Sequence, residues 1–166
     1  YGDAAALEAA ITPHTVGFLV EPIQGEGGVV MPPTGYLAEA ANICARHNLL
    51  LIADEIQTGL GRTGRLFACQ HEEVRPDITI LGKALSGGFY PVSAVLTDRD
   101  VLGLFQPGDH GSTFGGNPLA SAIGRAALNV IVEENLVERS RELGAYFKGR
   151  LTRIESVIIQ EVRGKG

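Results

Sequence analysis

Four short apolar runs limit what this chain can fold into: VGFLV at 16–20, LLLIA at 49–53, DITIL at 77–81 and VSAVL at 92–96. They are short, largely unbroken by polar residues, and spaced by helical patterns or long loops. Strands of that kind are buried on both faces, as in a parallel sheet covered by helices. The expected fold class is α/β, a mainly parallel sheet sandwiched by helices. Pro22 closes the first run because it has no N–H for a sheet ladder. Residues 36–47 carry apolar or small side chains at 37, 40, 41 and 44, the spacing of an amphipathic helix. A short helix is expected over 4–11. Asn117 followed by Pro118 has the form of an N-cap with proline at the first helical position. A last helix over about 135–154 would place Leu136, Leu143, Phe147, Leu151 and Ile154 on one face. The closing VIIQEVRGKG reads as a strand and turn leading onward, so the chain is expected to be a piece of a longer protein.

With 166 residues, 45% of them hydrophobic and 20% charged, the chain has the material for one domain with a core. A net charge of −5 argues against nucleic acid or an anionic membrane as the main partner. No apolar run approaches the roughly 20 residues that span a bilayer. Cys44 and Cys69 are too few and too far apart for a disulfide framework or a metal quartet, and read as free thiols in a reducing compartment.

In parallel sheets ligands gather beyond the carboxyl ends of the strands. Glu21, the pair Asp54-Glu55, and Gly82-Lys83 all stand there. The stretch IADEIQTGLGRTG also holds a G-x-G-x-x-G at Gly59, Gly61 and Gly64. A dinucleotide turn needs a helix after it and an acidic residue about 20 positions on. RLFACQHEEVRP makes a poor long helix and supplies no such acid, so a glycine-rich surface loop is the better reading. A phosphate-cradling P-loop fails as well, because Ala84 stands where its hydroxyl residue should be. A third chemistry uses both strand ends. Pyridoxal phosphate needs a lysine for its aldehyde and a carboxylate beside its ring nitrogen, and Lys83 and Asp54 could face one cleft. The carboxylate would keep the ring an electron sink, and the freed lysine could move the substrate α-proton. Each residue alone has a plainer reading: a strand-end Asp as a turn or cap, a loop Lys as a solvated cation. Their spacing does not settle the matter.

FLVEPIQGEGGVVMPPTGYL, LLLIADEIQTGLGRTG, PDITILGKALSGGFYPVSAVL and HGSTFGGNPLASA, in that order, resemble the class III, ornithine-type aminotransferases of the fold type I pyridoxal-phosphate enzymes. The resemblance runs from about residue 16 to the end. It implies that Lys83 carries the cofactor, Asp54 pairs with its ring nitrogen, Ile56 packs on a ring face, and Gln57 bonds on the 3-hydroxyl side. Ser112 and Thr113 would reach the phosphate from the neighbouring subunit of a homodimer, though plain turn chemistry explains them equally. Glu21 and Glu26 would lie on the substrate side, with Glu26 masking an arginine when a diamino acid enters; a solvated loop acid is its plainer reading. The implied reaction moves the δ-amino group of ornithine to 2-oxoglutarate, giving glutamate semialdehyde and glutamate. A class III enzyme acting on acetylornithine or an ω-amino acid, or a piece without turnover, is the alternative. Residues 1–166 would then be part of a pyridoxal-phosphate-binding large domain, with an upstream segment and a small C-terminal domain outside it. The implied partners are amino acids and 2-oxo acids, and the implied location is the cytoplasm, or the mitochondrial matrix in a eukaryote.

Overall fold

The apolar runs form one sheet in a computed structural model that describes residues 1–166. Its strands are β1 (Gly17–Val20), β2 (Leu50–Asp54), β3 (Ile78–Leu81) and β4 (Ala94–Thr97), side by side in that order. The first three are parallel, and β4 runs antiparallel to β3. The sheet is therefore mixed and mostly parallel. The helices are α1 (Ala4–Ala9), α2 (Tyr36–Arg46), α3 (Arg99–Leu102), α4 (Pro118–Glu133) and α5 (Leu136–Leu151). None is long and apolar enough to cross a membrane.

Register decides which side chains share a face, because residues paired across strands point the same way. Phe18 pairs with Leu51, and Val20 with Ala53. This face meets α1 and α2 in a core built from Val20, Leu37, Ile43, Cys44, Leu49 and Leu51. Leu81 and Ala94, paired further along the same face, meet Ile131 of α4 and Leu136 of α5. Each fully buried Leu or Ile here contributes about 1.5–3 kcal/mol. The helices thus supply one layer of the expected sandwich. The opposite face carries Leu19, Ile52, Asp54, Ile80 and Val95 in register. Leu19 is 59% and Val95 60% exposed there.

The helix ends follow local chemistry. Asn117 caps α4 by accepting the Ala120 N–H at 2.9 Å, with Pro118 at the first position. The N-terminus of α2 has no local cap, since its N-cap is Gly35 in the left-handed region. Glu72, on a 3₁₀ turn at Ala68–Glu72, supplies one instead, accepting Gly35 N at 2.9 Å and Ala38 N at 3.1 Å. A carboxylate there satisfies orphan donors and suits the helix dipole.

Two expectations change. Residues 157–166 form no strand, and Val157 and Ile158 are exposed, because an apolar run becomes a strand only by pairing with a neighbour. The apolar face expected on α5 exists, but Leu143 and Phe147 point to solvent and the helix has no buried residue.

Candidate functional site

The carboxyl ends of β1, β2 and β3 bring most of the singled-out residues together. Asp54 is the last residue of β2, and its carboxylate accepts the Ile56 N–H at 3.0 Å. This bond turns the chain as soon as the ladder ends, the usual role of an Asx side chain. Glu55 points the other way. It is 1% exposed, and its carboxylate accepts the Thr58 hydroxyl at 2.5 Å, Ala68 N at 3.0 Å and Cys69 N at 2.9 Å. The Gly59–Gly64 loop is thereby stitched to the 3₁₀ turn behind it. Burial, and then the Glu55 charge, push the Cys69 thiol far above its ordinary range. Glu55 was legible only as half of an acidic pair. What marks it as structural is its side chain's alternation to the covered side.

Lys83 opens a 3₁₀ turn (Lys83–Ser86) just beyond β3, with φ of 38°. A lysine in the left-handed region is held there by its surroundings. Its Nζ lies 3.4 Å from Glu26 Oε1, and the same oxygen accepts Gln57 Nε2 at 2.7 Å. These contacts, the Gln57 bond first, lower the Glu26 carboxyl below the ordinary range. Ile56 packs over Gly82, where an added Cβ would come within 3.3 Å of the isoleucine. Ile56, Lys83, Ser86 and Tyr90 line a cleft of about 1080 Å³, together with Gly115 and Gly116.

Not every expected residue converges on that cleft. Asp54 lines a neighbouring opening with Glu21 and Gln24, and meets the Lys83 cleft only through its bond to Ile56. Glu21 holds its own loop, accepting Gly25 N at 3.0 Å. Ser112 and Thr113 are exposed and outside the cleft walls, and Ser112 Oγ accepts Gly115 N in a local turn.

The chain carrying this parallel-strand crest belongs to the class III aminotransferases. The family model described as "Aminotransferase class-III" matches residues 2–166. The whole chain is 60% identical to the ornithine aminotransferase of Bacillus subtilis, covering 41% of that protein. It also superposes on the ornithine aminotransferase of Toxoplasma gondii with a TM-score of 0.98 at 53% identity, covering all of this chain and 40% of that one. That structure is described as having partial occupancy of PLP at its active site. The acetylornithine aminotransferase of Elizabethkingia anophelis matches with a TM-score of 0.96, also at 53% identity, covering all of this chain and 43% of that one. The chain spans about 41% of the length of the curated relative it matches.

Proposed function

We propose that this chain is the cofactor-bearing part of an ornithine aminotransferase that uses pyridoxal 5'-phosphate. The single observation that carries the reading is the contact of Lys83, Gln57 and Glu26 at the crest of the sheet. It joins the residue proposed to bind the cofactor with the one proposed to meet the substrate. The residues fit the group. A lysine amine reaches open space, Ile56 offers an apolar surface a ring could lie on, and Gly115 and Gly116 leave room without side chains. When bound, pyridoxal phosphate supplies an electron sink for the pair left as the carbon bearing the transferred amine loses its proton.

In this proposal Lys83 Nζ holds the cofactor and, once released by the incoming amine, moves the proton at that carbon. Asp54 keeps a negative charge toward the ring nitrogen. Ile56 orients the ring face, and Gln57 bonds beside its hydroxyl. Glu21 shapes the entrance, and Glu26 receives the distal ammonium of ornithine or masks the cation that later binds 2-oxoglutarate. Ser112 and Thr113, exposed in one chain, reach the phosphate of a second subunit in a homodimer. Residues 1–166 belong to the large domain, and the enzyme works in the cytoplasm, or the mitochondrial matrix of a eukaryote.

The likeness to an acetylornithine aminotransferase at equal identity keeps a second donor in view. Two measurements on the full-length protein test the reading. A visible absorbance band formed with pyridoxal phosphate is expected, and is lost in Lys83→Ala. Single-turnover reaction is expected to be faster with ornithine than with acetylornithine, and the reverse order would move the assignment to the second donor.

A further inference from the structure

Glu26 is carried on a tight hairpin over residues 24–30. Gln24 and Val30 pair through N–H···O bonds in both directions, at 3.1 and 2.9 Å. The turn between them is costly. Gly28 has φ of 110°, which glycine accepts, but the next residue, Val29, has φ of 56°. A β-branched residue in that region persists only where surrounding contacts over-determine it.

Two contacts do so. On one side Gly25 sits against the Gln57 amide so closely that an added Cβ would fall 2.5 Å from it. On the other side lies a residue more than 130 positions away. Arg163 donates from Nε to the Val29 carbonyl at 3.0 Å and from Nη2 to the Gly28 carbonyl at 2.8 Å, while its other arm pairs with Glu161. The planar guanidinium suits this, since its fixed fork can engage two adjacent carbonyls at once. The hairpin is thus gripped between Gln57 and Arg163, and Glu26 leaves it toward Lys83 Nζ.

We propose that Arg163 is a positioning residue, which holds the 24–30 hairpin so that Glu26 stays on the Lys83 amine. The proposal rests on the aminotransferase reading and adds to it a residue outside the cleft. Its consequence is kinetic. An amine bonded to a carboxylate must break that bond before it can attack an aldehyde. Loosening the hairpin therefore frees Lys83.

The test uses the full-length protein stripped of cofactor, and follows visible absorbance as Lys83 captures added pyridoxal phosphate. Glu26→Ala is expected to speed capture about threefold, and Arg163→Ala by a similar factor. The double variant should be no faster than Glu26→Ala, because both act through one contact. Arg163→Lys should recover part of the wild-type rate, a point cation reaching one carbonyl where the fork reaches two. Thermal midpoints alone would not separate this from a structural brace, but the non-additive rates do. A wild-type rate in Arg163→Ala, or factors that multiply in the double variant, would overturn the proposal. If Arg163→Ala does not fold, Arg163→Lys with and without Glu26→Ala gives the same comparison. No capture by the wild-type protein would defeat the aminotransferase reading itself, and this inference with it.

Discussion

Asp54 and Glu55 are neighbours in the chain, yet Asp54 turns to the open face of the sheet and Glu55 is sealed beneath the covered one. The division runs through the whole molecule. Under α1, α2, α4 and α5 the sheet buries Val20, Leu51 and Leu81, while across it Leu19 and Val95 stand more than half exposed. Of the 27 buried residues, 24 lie at or before Leu85, leaving only Ala120, Gly124 and Ile131 beyond. Identical chemistry therefore takes opposite roles by side alone. The carboxylate on the covered side fastens loops, and the one on the open side turns the chain beside an opening.

The sharpest way to break this comparison is to remove matched leucines. In residues 1–166, Leu51→Ala is expected to cost about 3–4 kcal/mol in denaturant unfolding. Leu19→Ala, one strand away on the open face, should cost under about 0.5 kcal/mol. Equal losses would mean that both faces are covered. Next comes Glu55→Ala, which strands two buried N–H groups and a hydroxyl and should cost about 3 kcal/mol. Since it lies off the cleft, the surviving folded protein should still form the visible band. Asn117→Ala removes one cap from α4 and should lower stability by about 1 kcal/mol, seen as a small drop in the thermal midpoint.

The smallest effect is at Glu26. Its carboxyl is lowered in the folded state by the Gln57 bond and then by Lys83, so the contact is intact above the ordinary carboxylate range. It is lost only as pH falls through the lowered value. A titration of the Glu26 side-chain carbon signal by NMR should therefore show a midpoint below that of an ordinary exposed glutamate. Gln57→Ala should move that midpoint upward, and an unmoved midpoint would remove Gln57 as the main cause.

The strands and main helices were legible because continuous apolar runs and 3.6-residue spacing report burial directly. The reversal of β4 was not, since VSAVL has the same composition whichever way it runs. The run that opens at Val157 was misleading for a related reason: Val157 and Ile158 are strand-like residues without a neighbouring strand to pair with. At the site, Lys83 and Asp54 could be picked out from their places at strand ends. The bond from Lys83 to Glu26, the Glu72 cap on α2 and the Arg163 grip on Val29 could not, for each joins residues between 34 and 134 positions apart. Nothing local in the chain marks such a pair.

The reversal of β4 has a mechanical consequence for the amine. Because Leu81 and Ala94 are rungs of one ladder, the connection 82–93 that bears Lys83 starts and finishes on the same pair of hydrogen-bonded strands. Its two feet cannot drift apart or slide. Residue 83 stands two positions past that rung, so its backbone is tethered close to the sheet, and its four-carbon stem gives the amine most of its reach.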